Sequence, residues 1–216
     1  MPEEKKRNYL AISAISMLGS CETKFYDTMF KERVITKRMQ VGIAGHEKLA
    51  EKLPQVSKEQ MVQEIMTGNK CAFREVSVLD QKLKTIGRMD EIRFEDGFEG
   101  SKRKGIISDD KFTKVEYHGI PLYYRLQLAT YACAVENSAD LSSICTVEKV
   151  VLICRDSVTK QVSKAFEADR RTLETWKSNT PAAITDGWKV YNKEKTPEHR
   201  RFDVGSGGWV GCYCGN

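Results

Sequence analysis

The residues best suited to chemistry are two aspartates, Asp90 and Asp109, and a lysine, Lys111, two positions after the second. Asp90 stands in Gly87-Arg88-Met89-Asp90-Glu91-Ile92, which alternates apolar and polar, and Asp109 follows Ile106-Ile107-Ser108. Two carboxylates at the ends of adjacent antiparallel strands come close and repel each other unless a cation neutralises them. Hard oxygen donors favour Mg²⁺ or Mn²⁺ over softer metals. Strand alternation puts Asp109 and Lys111 on one face. An ammonium placed there can stabilise charge developing on a phosphate or orient a water. Taken alone, each acid also fits a solvated strand end. Two further groups keep them company: Gly42-Ile43-Ala44-Gly45-His46 upstream, and Gln127 with Tyr131 downstream, four apart and so on one helical face.

These side chains need elements to hold them. The opening reads as helical, with Leu10, Ile12, Ile15, Leu18, Phe25 and Met29 tracking one face and Gly19-Ser20 a point where it can break into two pieces. A second helix is expected over Gly42 to Leu53, which would carry His46 and end before Pro54. A third is expected from Lys58 to Met66, with Ser57 as N-cap and Gln60 completing a capping box. Cys71 to Leu79 and Leu83 to Phe94 read as strands, and the second carries Asp90. Ser101-Lys102-Arg103-Lys104-Gly105 reads as a basic loop before the short strand Ile106-Ile107. A helix follows Pro121 and would carry Gln127 and Tyr131, and Val147 to Cys154 is apolar enough for a strand buried on both faces. From Ala168 to Tyr191 the pattern is helical but expected to break at Pro181. The order predicts an α/β domain with helices around a central mixed sheet.

Taken in order, the four groups resemble the RecB-like branch of the PD-(D/E)XK nucleases. That family carries Gly-x-x-x-His on a helix, Gly-x-x-Asp on a strand, Asp-x-Lys on the next strand and Gln-x-x-x-Tyr on a helix. Here they are Gly42 with His46, Gly87 with Asp90, Asp109 with Lys111, and Gln127 with Tyr131. The resemblance implies a restriction-endonuclease-like core and metal-dependent hydrolysis of phosphodiester bonds. It implies that His46, Asp90, Asp109 and the backbone carbonyl of Asp110 ligate Mg²⁺ or Mn²⁺. Lys111 would activate or position the water, and Gln127 and Tyr131 would orient the site. Glu75 is a further acid on the preceding strand. Phe112 departs from the family, which often has a small hydroxyl residue there. Relatives act on single-stranded DNA or DNA ends, in repair, recombination, CRISPR adaptation or viral DNA processing. The alternative is a non-catalytic DNA-binding or assembly subunit that keeps the fold. The survival of the metal and lysine positions favours catalysis over it.

The segment Ile15 to Tyr26, around Cys21, looks like the first cysteine segment of the CRISPR-associated and exonuclease V types. In that subgroup one N-terminal and three C-terminal cysteines hold a [4Fe–4S] cluster. Here Cys21 is joined only by Cys212 and Cys214, so the fourth ligand is open between Cys71, a residue other than cysteine, and residues outside the chain. Zinc would also accept these thiolates.

The whole chain, 1–216, reads as one nuclease domain: a core over about 41–155, an N-terminal helical segment over 8–40 and a C-terminal segment over 168–216, with the cysteines joining the two ends. With 216 residues, 40% hydrophobic and 30% charged, the composition fits a globular core and excludes collagenous or disordered classes. No apolar stretch is long enough to cross a bilayer, and the charged start is followed by no apolar signal region. A cytoplasmic protein is the expectation, and Cys133, Cys145 and Cys154 read as core packing. The net charge of +5 is compatible with nucleic acid without requiring it. Candidate DNA contacts are Lys102, Arg103 and Lys104, the basic residues from Lys193 to Arg201, and tyrosines that stack on bases, Tyr124 among them. The oligomeric state is not legible.

Overall fold

A computed structural model describes residues 7–32, 35–51, 56–212 and 214 of the chain. The charged start before Arg7 and the expected helix end at Leu53 lie outside these residues. The first half runs β1 (Leu10–Ala11), α1 (Ile12–Ile15), a 3₁₀ turn (Ser16–Gly19), α2 (Glu22–Phe30), α3 (Lys37–Ala50) and α4 (Lys58–Met66), then β2 (Cys71–Asp80), β3 (Thr85–Phe94) and β4 (Arg103–Phe112). The second half runs α5 (Leu122–Asn137), β5 (Cys145–Arg155), β6 (Val162–Ala168), α6 (Arg170–Tyr191), β7 (Arg200–Asp203) and β8 (Gly208–Gly211). Strands β1 to β6 form one mixed sheet flanked by helices, and β7 and β8 form a separate hairpin.

The sheet is built around β3. Along one edge β3 pairs antiparallel with the whole of β2. The other edge is shared: β4 pairs antiparallel from Glu91↔Ser108 to Phe94↔Gly105, and β1 pairs parallel with Thr85 and Ile86. Residues 87–90 therefore lie between the two partners. Beyond its short pairing with β3, β4 runs parallel with β5 from Arg103 to Phe112. The splay between β3 and β4 makes the space the candidate site occupies.

Helix α5 packs on β2, β5, α6 and the 3₁₀ turn, and its residues from Leu126 to Val135 are all buried. A helix apolar around most of its circumference belongs in the middle of a fold. Asp80 fixes the β2–β3 turn to it. One carboxylate oxygen accepts the Leu83 N–H at 2.9 Å and the other accepts Asn137 Nδ2 at 2.8 Å. Residues 81–84 are thus turn, and β3 begins at Thr85 rather than Leu83.

Other expectations need correction. The apolar positions from Leu10 to Met29 are buried, but a two-residue strand, a short helix and a 3₁₀ turn precede α2. Ser57 caps α4 with the reciprocal Gln60 bond expected of it. Strand β4 begins at Arg103 and runs through Phe112, so the basic loop is shorter and the strand far longer than the run Ile106-Ile107. Its polar Ser108, Asp109 and Asp110 are all buried, because β4 lies between two neighbours at the centre of the sheet.

Helix α6 is continuous through Pro181. Proline donates no N–H, so the carbonyl four residues back, at Lys177, loses its helical partner. The Cys133 thiol on α5 points at that carbonyl at 3.9 Å and replaces the missing donor. Among the described residues, no helix is long and apolar enough to cross a membrane.

Candidate active site

Strand β3 delivers Asp90 where β3 and β4 part. Asp90 Oδ2 accepts the backbone N–H of Asp110 at 2.7 Å, just past the last pair, Glu91↔Ser108, and Oδ1 lies 3.5 Å from His46 Nδ1 on α3. Asp109 comes from β4, almost fully buried. Gln127 Nε2 on α5 donates to Asp109 Oδ1 at 3.3 Å, and Lys111 Nζ stands 2.7 Å from Oδ2. The Lys111 ammonium also lies 5.0 Å over the Tyr124 ring. Tyr131 donates to the carbonyl of Arg88 at 2.8 Å, satisfying a β3 edge group in the gap between β4 and β1. The structure thus brings together His46, Asp90, Asp109, Lys111, Gln127 and Tyr131, with Tyr124 beside them.

Two glycines make the approach possible. A Cβ on Gly87 would lie 2.8 Å from the Tyr131 ring and 2.9 Å from Ile12 Cδ1, so only glycine lets α5 and α1 this close to β3. On α3 the close approach is at Gly45, where a Cβ would lie 2.6 Å from the Phe112 ring, while Gly42 faces open space. Phe112 also meets the His46 ring edge-on, centroids 5.3 Å apart. The residue that departs from the family pattern therefore holds the helix that carries the histidine.

Glu75 joins the group. Its φ is 55°, a left-handed conformation rare for a side-chain-bearing residue, and the β2–β3 ladder skips its pairing with Asp90. Backbone of this kind persists where the surroundings enforce it, often at functional sites. Ligand atoms of His46, Glu75 and Asp90 all lie within 4.8 Å of one another. The exposed Arg88 pairs with Glu75 at 2.7 Å. The sequence signal for Glu75 was only its being an acid on the adjacent strand.

The local charge is unfavourable as it stands. Burial pushes Asp90 up to about 6, with the Lys111 ammonium and the Asp110 N–H opposing it. Burial likewise pushes Asp109 up to about 7 against Lys111. Burial and Lys111 hold His46 below its usual value. His46 Nδ1 and Asp109 Oδ2 are buried without a hydrogen bond of good geometry, Asp109 Oδ2 having only the ammonium close by. Oxygen and imidazole donors, orphaned and crowded around a splayed strand end, are a donor set that suits a divalent cation.

The Asp110 side chain serves elsewhere. Its carboxylate is fully buried and held by Arg155 Nε at 2.6 Å and by Arg74 at 3.2 and 3.3 Å, with Arg74 also pairing with Glu91 at 2.9 Å. Alternation along β4 turns it away from Asp109 and Lys111. Only the backbone of Asp110 adjoins the site.

Arg103 requires a correction. Its side chain is fully buried and donates to the carbonyls of Ile65, Asn69 and Glu95, at 2.6, 2.9 and 2.5 Å, so it cannot reach a DNA phosphate. Lys102 donates to the Ser142 carbonyl at 2.6 Å, and Lys104 lies 3.2 Å from Glu148 and 3.5 Å from Glu99. All three sit at the opposite end of β4 from Asp109, about 20 Å away at strand rise.

No family model matches the chain, and no curated protein matches it. Solved structures do. The "Putative exonuclease" of Eubacterium rectale matches over 88% of this chain and 84% of its own, at 12% identity and a TM-score of 0.52. The chain has an exonuclease-like fold. SSO0001 matches over 91% of this chain and 82% of its own at 16% identity and a TM-score of 0.49. An alkaline exonuclease of Laribacter hongkongensis matches over 87% and 93% at 9% identity and a TM-score of 0.34.

Elsewhere in this exonuclease-like fold, two distant stretches of chain meet. Glu22, fully buried, accepts from Lys195 Nζ at 2.5 Å, the Glu198 N–H at 2.9 Å and Arg200 Nε at 3.3 Å. Arg200 also lies 4.3 Å over the Trp209 ring. Lys195 and Arg200 thus serve this junction rather than a DNA surface. Beside it, Cys21 Sγ lies 2.8 Å from Cys214 Sγ and 3.1 Å from Cys212 Sγ, and His199 Nδ1 lies 3.5 Å from Cys214 Sγ. Burial raises the Cys21 thiol, but hydrogen bonds from Cys214 and Cys212 outweigh it and bring it down to about 6. Hydrogen bonding with Cys21 and Cys212 drives Cys214 up to about 12. Cys71 lies apart, buried at the start of β2.

Proposed function

We propose that the chain is a divalent-metal-dependent DNA nuclease that hydrolyses phosphodiester bonds. The observation that carries this reading is the convergence of His46, Glu75 and Asp90 at a splayed strand end, with the Asp109–Lys111 pair alongside. Buried carboxyls held near neutrality favour a cation that would ionise them. His46, Glu75, Asp90 and Asp109 would hold Mg²⁺ or Mn²⁺, which supplies Lewis-acid activation of the phosphate and of water when bound.

The remaining residues act by position and charge. Lys111 presents an ammonium to the phosphate oxygens, where it offsets the negative charge that grows in the transition state. Gln127 fixes the Asp109 carboxylate, and Tyr131 fixes the β3 edge on which Asp90 stands. Tyr124 borders the site next to Tyr117 and Tyr123, whose rings lie 6.0 and 4.1 Å from its own, a surface on which an unpaired base can stack. A groove of about 390 Å³, lined by Lys58, Phe73, Arg74 and Arg88, opens beside Glu75. These features favour single-stranded DNA or DNA ends as substrate.

The test is cleavage of end-labelled single- and double-stranded DNA with Mg²⁺, Mn²⁺ or EDTA, wild type beside Lys111→Ala. Metal-dependent cutting that Lys111→Ala abolishes while DNA binding persists supports the nuclease. Binding without cutting by the wild type under every condition would replace it with a DNA-binding subunit.

A further inference from the structure

The group formed by Cys21, His199, Cys212 and Cys214 shares no residue with the site above, and it does not fit the cluster that the family resemblance implies. A four-iron cluster normally takes four cysteine thiolates. The described residues bring three to this place, and the fourth donor is an imidazole. Spacing disagrees too. In a cubane each ligand sits on its own iron, so the ligands stand apart by an iron–iron edge plus their outward bonds. Here one ligand atom from each residue lies within 4.8 Å of every other, and Cys21 Sγ is 2.8 and 3.1 Å from its two partner sulfurs.

A single ion matches both observations. Tetrahedral zinc with Zn–S bonds of 2.3 Å sets its sulfurs about 3.8 Å apart, and Cys₃His is an ordinary structural zinc set. Shifts of about 1 Å in the outer ligands reach that geometry. The frame is already in place. Glu22 anchors the segment beside Cys21 to residues 195–200, and the β7–β8 pairing runs from Arg200↔Gly211 to Asp203↔Gly208, which places His199 and Cys212 side by side at its open end. Cys21 is fully buried against this hairpin, and Cys214 is exposed at its outer side.

We infer that Cys21, His199, Cys212 and Cys214 bind one tetrahedral Zn²⁺ that ties the N-terminal segment to the C-terminal hairpin. The ion is structural, because four protein ligands leave no open position for substrate. This does not depend on the nuclease reading.

The experiment measures metal content of protein purified anaerobically without added metal, then replaces zinc with Co²⁺. The expected result is one zinc per chain, no iron or sulfide, no brown colour, and a cobalt form with tetrahedral d–d bands and thiolate charge-transfer absorption. His199→Ala should weaken zinc retention against a competing chelator by about a hundredfold, since even outer-shell partners are worth 10–100-fold. His199→Cys should restore it, which separates ligation from folding damage. Asp90→Asn should keep its zinc, which distinguishes this site from the active site. Four irons with sulfide, no stoichiometric metal, or unchanged retention in His199→Ala would each overturn the assignment.

Discussion

Asp90 Oδ2 accepts the Asp110 N–H at 2.7 Å, so a side chain closes the sheet where the β3–β4 ladder stops. The carboxylate therefore has a structural duty and a proposed metal duty, and substitution can separate them. Asp90→Asn keeps an acceptor oxygen and should melt close to wild type while losing Mn²⁺ binding and cleavage. Asp90→Ala should lose both and cost about 1–2 kcal/mol of stability, the usual effect of leaving a buried N–H unpaired. Thermal melts and Mn²⁺ titration of both variants check this.

Asp90 and Asp109, raised by burial to about 6 and about 7, set a pH dependence of definite sign. A carboxyl whose folded pKa exceeds its unfolded value binds more protons when folded, so the metal-free protein should lose stability as pH rises from about 4 to about 7. Metal binding requires the ionised forms, so affinity for Mg²⁺ or Mn²⁺ should climb across pH 6–7 and level off above. Melts in EDTA and metal titrations at pH 5 to 8 should move in opposite directions. Parallel trends would refute the account.

Gln127 touches Asp109 through one 3.3 Å hydrogen bond and contacts no reacting atom, which makes it a positioning residue. Gln127→Met should lower kcat about tenfold, the kinetic equivalent of one hydrogen bond, with little change in KM. Gln127→Glu, which adds a like charge beside Asp109, should shift the acid limb of the pH–rate profile upward.

Gly87 owes its identity to the Tyr131 ring and Ile12. Gly87→Ala should force α5 or α1 away from β3 and cost about 1–3 kcal/mol, the range for overpacking a core. Gly42→Ala, at a position facing open space, should leave the melting temperature unchanged or slightly raised. A reversed ranking would contradict the packing.

Arg103 carries a prediction opposite to that of a DNA contact. Arg103→Met strands three carbonyls and should destabilise the protein by about 3 kcal/mol or more. Where the variant stays folded, its DNA affinity and the salt dependence of binding should match wild type. A reduced salt slope would put the guanidinium on the phosphate backbone after all.

How legible these features were in the sequence follows from their physics. Strand and helix periods put Asp109 with Lys111 and Gln127 with Tyr131 on shared faces, whereas His46 and Asp90 stood out only through the ordered set of motifs that the sequence resembles; the structure places all six together. Ser57 and Gln60 were legible because a capping box is a local interaction. Strand β6 was not, since it is an exposed edge with three of its seven residues charged or polar. Arg103 read as surface because burial of its guanidinium depends on three carbonyls from two other stretches of chain, 65–69 and Glu95. Glu75 was legible only as a further acid and His199 only as part of a basic run, for a related reason: the place of one depends on a left-handed backbone position, that of the other on a hairpin that brings the two ends of the chain together.

Pro181 and Cys133 are tied through one carbonyl. The proline frees the Lys177 carbonyl, and the thiol 3.9 Å away occupies it. With Pro181 present, Cys133→Ala strands that acceptor, whereas after Pro181→Ala a backbone N–H can reclaim it and the sulfur becomes dispensable. The double variant should be more stable than the sum of the single effects allows, by about 0.5 kcal/mol or more. Homologues lacking the proline would then be free to drift at position 133, and those keeping it would not.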